Sequence, residues 1–112
     1  METTRQNKIA RLLQKDLRDI FQTELRNAFG KVMVTITTVR VSPDLSVAKI
    51  YVSIFGVNEK EAVLKKITEH TKDIRRSLGN KVKNQLRIIP NLEFFIDDSL
   101  DYLENIENLL KQ

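Results

Sequence analysis

The sequence predicts an α+β two-layer sandwich, a three-stranded sheet with helices against one of its faces. Three observations predict it: an apolar stripe at helical spacing opens the chain, two β-branched runs come next across a short polar turn, and a second long amphipathic stretch precedes a third, shorter apolar run. The order is helix, strand, strand, helix or paired helices, strand, helix. At 112 residues the chain fits a single domain, 1–112, with one modest core.

The first helix is expected from Thr4 to Asn27. Ile9, Leu13, Leu17, Ile20, Phe21 and Leu25 recur at spacings near three and four, Thr3 or Thr4 can cap the start, and Gly30 marks the exit. Arg5, Lys8, Arg11, Lys15 and Arg18 lie largely off that stripe. Solubilising charge is their simpler reading and phosphate contact the secondary one.

Val32 to Val41 (VMVTITTVRV) has strand composition, but its alternation changes phase between Ile36 and Val39. A bulge near Thr37 and Thr38 explains this, as does a strand buried on both faces. Ser42-Pro43-Asp44 then turns the chain into a second strand, Val47 to Phe55, in an antiparallel hairpin. Ala48, Ile50, Val52 and Ile54 take one face, and Lys49, Tyr51 and Ser53 the other. Gly56 to Asn58 ends the strand, with Asn58 as the expected cap of the next helix.

From Glu59 to Gln85, Val63, Leu64, Ile67, Ile74, Leu78 and Val82 fall on one half of a helical wheel. On a continuous axis, Lys65, Lys72, Arg76, Lys83 and Arg87 gather within about 60° on the opposite side. A kink is expected around Glu69 to Lys72, where the apolar stripe is weakest; Gly79-Asn80 is a second place for an interruption. Pro90 stops the helix, Leu92 to Ile96 is a strand, and Asp98 or Ser99 caps a closing helix carrying Leu100, Leu103, Ile106, Leu109 and Leu110.

Composition removes several function classes. One histidine, His70, and no cysteine leave no assembled catalytic triad, thiolate metal site or disulfide. Among Gly30, Gly56 and Gly79 there is no phosphate-cradling motif. Asp97, Asp98 and Asp101 lack the ligand spacing of a calcium loop, and capping explains them better. Catalysis, cofactors and metals are therefore not expected. The chain has no apolar run long enough for a transmembrane helix, which takes about 20 residues, and no secretory h-region, so a reducing cytoplasm is the expected compartment. Net charge is +4 but unevenly spread. Residues 60–90 carry nine basic against three acidic side chains, and residues 91–112 one against six. A basic middle beside an acidic end suits orientation on a polyanion.

Two segments carry a resemblance. Ser42 to Ser53 reads SPDLSVAKIYVS and Leu86 to Ser99 reads LRIIPNLEFFIDDS. They resemble the ribosome-binding factor A family pattern S-x-D-L-x-x-A-K-x-Y-V-S, then L-R-x-x-P-x-L-x-F-x-x-D-x-S. The matching places are Ser42, Asp44, Leu45, Ala48, Lys49, Tyr51, Val52 and Ser53, then Leu86, Arg87, Pro90, Leu92, Phe94, Asp97 and Ser99. The resemblance implies a type II KH-like fold (α-β-β-α-α-β plus a C-terminal helix). It implies a non-enzymatic assembly factor that binds the free small ribosomal subunit and its ribosomal RNA, assists late rRNA maturation and processing, and in bacteria supports cold adaptation. Assembly GTPases are further partners it suggests, and a monomer is the expected state.

KH domains that bind single strands carry a G-x-x-G loop between two helices, which this chain lacks. The family it resembles places an Ala-x-Gly kink there. Counting back from Ile74-Arg75, that place holds His70-Thr71-Lys72, with neither the small residue nor the glycine. His70 reads as a partly buried junction residue and Lys72 as the contact. The expected phosphate contacts are Lys65, Lys72, Arg75, Arg76, Lys81, Lys83 and Arg87, with Arg5, Lys8 and Arg11 secondary. Tyr51, Phe55 and Phe95 are read as packing residues before stacking ones. The alternatives are a small protein-interaction module and a general single-stranded nucleic-acid binder.

Overall fold

The computed structural model describes residues 3–25, 28–29, 32–56, 58–83, 85–86 and 88–97. The elements run α1 (Thr4–Thr23), β1 (Met33–Val41), β2 (Val47–Phe55), α2 (Lys60–Glu69), α3 (Thr71–Val82) and β3 (Asn91–Ile96). The expected closing helix and its caps Asp98 and Ser99 lie outside the described residues, as do Asn27 and Gly30.

α1 begins with a reciprocal cap. Thr3 Oγ1 accepts from the Gln6 N–H at 3.1 Å, and Gln6 Oε1 accepts from the Thr3 N–H at 2.8 Å. The same Gln6 amide donates to the Val41 carbonyl at 2.9 Å, so a buried polar side chain is satisfied while it ties helix to strand. Gln14 and Arg18 donate likewise to the carbonyls of Thr37 and Ile36. These three residues give carbonyls of an edge strand their partners, which is one way an exposed edge is protected. The helix ends at Thr23, short of Asn27. There the Thr23 hydroxyl donates to the Asp19 carbonyl, the Leu25 N–H reaches back to Ile20, and the turn seats Phe29 with its ring centroid 6.1 Å from that of Phe21.

The hairpin forms in the expected register, with Val41 opposite Ala48 and Met33 opposite Phe55, and the register shifts between Ile36 and Thr38. The phase change in the sequence is thus a bulge at Thr37. It restores Val39 and Val41 to the face of Ile36, and all three are buried. The turn is held by Asp44, whose Oδ1 accepts from the Ser42 hydroxyl (2.7 Å), the Ser46 hydroxyl (2.7 Å) and the Ser46 N–H (3.1 Å). These bonds, that of the Ser46 hydroxyl foremost, lower the Asp44 carboxyl from its ordinary 3.8 to about 2.

Asn58 does not cap the next helix. Its N-cap position is Glu59, which makes no side-chain capping bond. The long stretch is also not one rod: it breaks at His70 (φ −91, ψ 7), where the kink was expected, and runs unbroken through Gly79-Asn80. β3 then joins β2 in parallel, Val47 beside Asn91 and Val52 beside Ile96, giving the sheet order β1-β2-β3. The helices cover one face. Leu13, Leu17 and Ile20 of α1, Ile67 of α2, and Ile74, Leu78 and Val82 of α3 bury against Ile36, Ile50, Val52 and Ile54.

Leu17 is fully buried in this layer, so Leu17→Ala should lower the unfolding free energy by about 2–5 kcal/mol in urea titrations. Because the Asp44 carboxyl is depressed, its contribution to the turn is complete above 3.8 and is lost as pH falls through about 2. NMR titration of the carboxyl carbons should place Asp44 near 2, and Ser46→Ala should move it toward 3.8.

Candidate nucleic-acid interface

β3 comes after a crossover that returns the chain over the sheet, so the α2–α3 junction lands beside β3. An open groove of about 540 Å³ results, lined by Thr71, Lys72, Arg75 and Arg76 of α3 and by Ile89, Asn91 and Leu92 where β3 begins. Three cations surround an apolar floor, and among the described residues no carboxylate lines it. Such a groove can take a phosphate backbone at its rim and the flat face of a base or sugar against Ile89 and Leu92.

His70 sits at the junction, half buried. Its ring meets Phe29 edge-on at 5.4 Å between centroids, and Nδ1 lies 2.7 Å from the Lys66 carbonyl. With no small residue or glycine to open the kink, the turn is closed by the Thr71 hydroxyl, which donates to Thr68 O at 2.6 Å, and by the backbone N–H of His70, which reaches Ile67 O at 3.0 Å.

The basic residues picked from the sequence are not one stripe. The break at His70 divides Lys65, exposed on α2, from the α3 set, and among the described residues only Lys72, Arg75 and Arg76 of the predicted set line the groove. Lys81 is engaged elsewhere. Its Nζ donates to Asp19 Oδ2 at 2.7 Å, joining α3 to α1. That bond holds the Lys81 ammonium above its usual range, partly offset by desolvation, with Asp16 and Glu24 adding attraction. Lys83 is exposed just past α3, and Arg87 lies outside the described residues. On α1, Arg5, Lys8 and Arg11 are all exposed. Arg5 borders a separate hollow of about 270 Å³ with Leu45, Leu86 and Ile88, while Arg11 lies among Lys15, Asp16 and Arg18.

Arg75 differs from its neighbours. Nη2 donates to the Ile89 carbonyl at 2.7 Å and Nε to the Pro90 carbonyl at 3.2 Å, so the guanidinium clamps the segment that enters β3. It positions the groove floor as well as charging the rim, a role the fork geometry of arginine allows. Asn91 and Ile89 were not singled out in the sequence. Only Pro90, as a helix stop, pointed to where they would fall.

The ribosome-binding factor A family model matches residues 5–110. A ribosome-binding factor A of Cytophaga hutchinsonii is 48% identical over 112 residues, covering 100% of this chain and 84% of the relative. That of Flavobacterium johnsoniae is 48% identical over 111 residues, covering 98% and 85%. The crystal structure of ribosome-binding factor A from Thermus thermophilus superposes with a TM-score of 0.69 at 25% identity, covering 81% of this chain and 94% of that one. A homology model of the Thermus factor, fitted into a cryo-EM map of a 30S–RbfA complex, gives 0.63 at 26% identity, covering 78% and 89%. The fold is therefore the KH-like one, and the matches are to binding factors, not to known enzymes.

If Arg75 holds the entry to β3, Arg75→Ala should speed amide hydrogen exchange at Asn91, whose N–H donates to the Ser46 carbonyl. Lys72→Ala, which takes a cation from the same groove and leaves the clamp intact, should leave the exchange unchanged.

Proposed function

The chain belongs to the ribosome-binding factor A family, and from that premise we propose that it binds the free small ribosomal subunit through the groove beside β3 and assists late maturation and processing of its ribosomal RNA. The observation that carries the groove into this reading is the convergence of Lys72, Arg75 and Arg76 on an apolar floor, with no lining carboxylate among the described residues. The Thermus relative fitted into a 30S complex supports the choice of partner.

The mechanism is differential binding. A non-catalytic factor favours whichever rRNA conformation it contacts better, and it shifts the population only by that difference in affinity. Moving an equilibrium from 1:99 to 99:1 takes a preference of about 10⁴-fold. Lys72 and Arg76 contact phosphates, which position the RNA without reading its sequence. Lys83 and Lys65 extend the positive field on either side, and Arg5, Lys8 and Arg11 act at longer range. Lys81 contributes less, since its ammonium is already matched by Asp19. A cytoplasmic monomer that supports growth in the cold and is released with the help of an assembly GTPase completes the reading.

Binding by about four phosphate contacts should weaken roughly a hundredfold between 50 and 200 mM salt. Lys72→Ala with Arg76→Ala should reduce the salt slope by about 2 without lowering thermal stability, measured by equilibrium binding to purified small subunits. Unchanged affinity and slope would sink the assignment of this groove. Equal affinity for unrelated RNA would make the chain a general nucleic-acid binder.

A further inference from the structure

The groove does not use several positions that carry the sequence pattern. Lys49 and Tyr51 alternate on β2 away from the helices; Ser53 continues the alternation but is buried, its hydroxyl donating to the carbonyl of Asp97, which comes after β3 on the same side. α1, α2 and α3 all bury against the other face, so among the described residues no helix lies over this one.

Two features of that face have no role in the core. Tyr51 and Phe95 are neighbours in register across the parallel pair, and their rings stack with centroids 5.5 Å apart and planes 29° from parallel. Phe95 remains 38% exposed, and Met33, further along, 65%. Two register positions away, Arg40 and Lys49 stand directly opposite each other, both exposed. Like charges in that position repel. Neither has an ion-pair partner among the described residues, although Glu93 is the neighbour of Lys49 on its other side. An anion between Arg40 and Lys49 would relieve the repulsion.

We propose that this outer face is a second nucleic-acid contact, on which the Tyr51–Phe95 pair stacks a base of single-stranded RNA while Arg40 and Lys49 hold the adjoining phosphate. Lys49 and Tyr51 are two residues apart on one strand, about 6.6 Å along it, so a cation and a ring are presented side by side. Aromatic side chains with flanking positive charge are the general means of holding single strands without reading their sequence. The platform is rigid. The Thr37 hydroxyl at the bulge donates to Asp97 Oδ2 at 2.6 Å, and the Asp97 N–H donates to Val52 O at 2.7 Å, so the end of β3 is pinned next to Phe95. β3 is an edge strand, and Asn91 at its start lines the basic groove, so one RNA strand can pass from the groove around that edge onto the face.

The test uses the full chain carrying Tyr102→Phe, which leaves Tyr51 as the sole tyrosine in a chain without tryptophan. Anisotropy of a dye-labelled, mixed-sequence single-stranded oligoribonucleotide reports binding, and tyrosine emission reports this face. Tyr51 emission should fall in step with the anisotropy rise, and Phe95→Ala should weaken binding about tenfold. Arg40→Ala with Lys49→Ala should reduce the salt slope by about 1 to 2. Should Phe95→Ala fail to fold, the emission of Tyr51 beside an intact Phe95 still decides. Constant emission at saturating RNA overturns the platform and leaves the groove standing; an absence of any anisotropy change likewise overturns the platform as a single-strand contact, while the groove is judged by binding to purified small subunits. Quenching that appears only after removal of residues 98–112 would put the chain's own end on this face and overturn the proposal for the intact protein.

Discussion

A strand that lies parallel to its neighbour cannot be reached by a tight turn; the chain must cross the sheet and come back. The pairing of β3 with β2 is that constraint here, and the rest of the molecule depends on it. Residues between Phe55 and Asn91 have to travel the length of the sheet in the reverse direction, and α2 and α3 are that return path. They bury Val63, Ile67, Ile74, Leu78 and Val82 as they go, while α1 fills the remainder of the same layer from the β1 side. All the apolar faces of these helices are turned to one side of the sheet. The basic residues of α3 are left facing outward beside the last strand, and among the described residues the opposite side of the sheet is left to Tyr51, Phe95 and their charged neighbours.

Arginine and lysine play unlike parts in this arrangement. Arg18 and Arg75 both turn donors toward backbone carbonyls, one at the first edge strand and one at the approach to the other. Lys81 closes a contact between helices by meeting Asp19. Exposed pairs of that kind contribute little stability by themselves, so its effect is better seen as removing one cation from the free set than as holding the fold. What remains for a polyanion is a smaller and more localised group than the count of nineteen Lys and Arg suggests.

Local pattern carried most of the fold. The strict alternation of Val47 to Phe55 gave that strand its bounds to the residue, and the phase change after Ile36 marked the bulge because a pleated strand cannot swap faces without an extra residue. The weak place in the apolar stripe near His70 marked the break. Where local pattern misled at the helix ends, the boundaries moved by a few residues. α1 stops early because Phe29 folds back on Phe21, and Asn58 is passed over because the helix starts one residue later than its cap would need. The basic stripe was legible only on the assumption of a straight axis, which the junction at His70 removes. The bond from Lys81 to Asp19 and the clamp of Arg75 on Ile89 and Pro90 depend on tertiary approach, and no spacing rule announces them. The facing of Tyr51 and Phe95 depends on the register of the parallel pair, which the sequence does not specify by any turn.

The tie between the bulge and the end of β3 bears on the order in which the molecule assembles. The hairpin closes across five residues and α1 lies immediately before it, so both are local events. Joining Val47 to Asn91 encloses two helices and carries the larger loop-closure entropy, which makes it the slow and late step. Thr37 and Asp97 cannot meet until that step is complete. Both the basic groove and the aromatic pair take residues from β3, so neither exists in a partly folded chain. The two surfaces arrive together, in the same event that finishes the sheet.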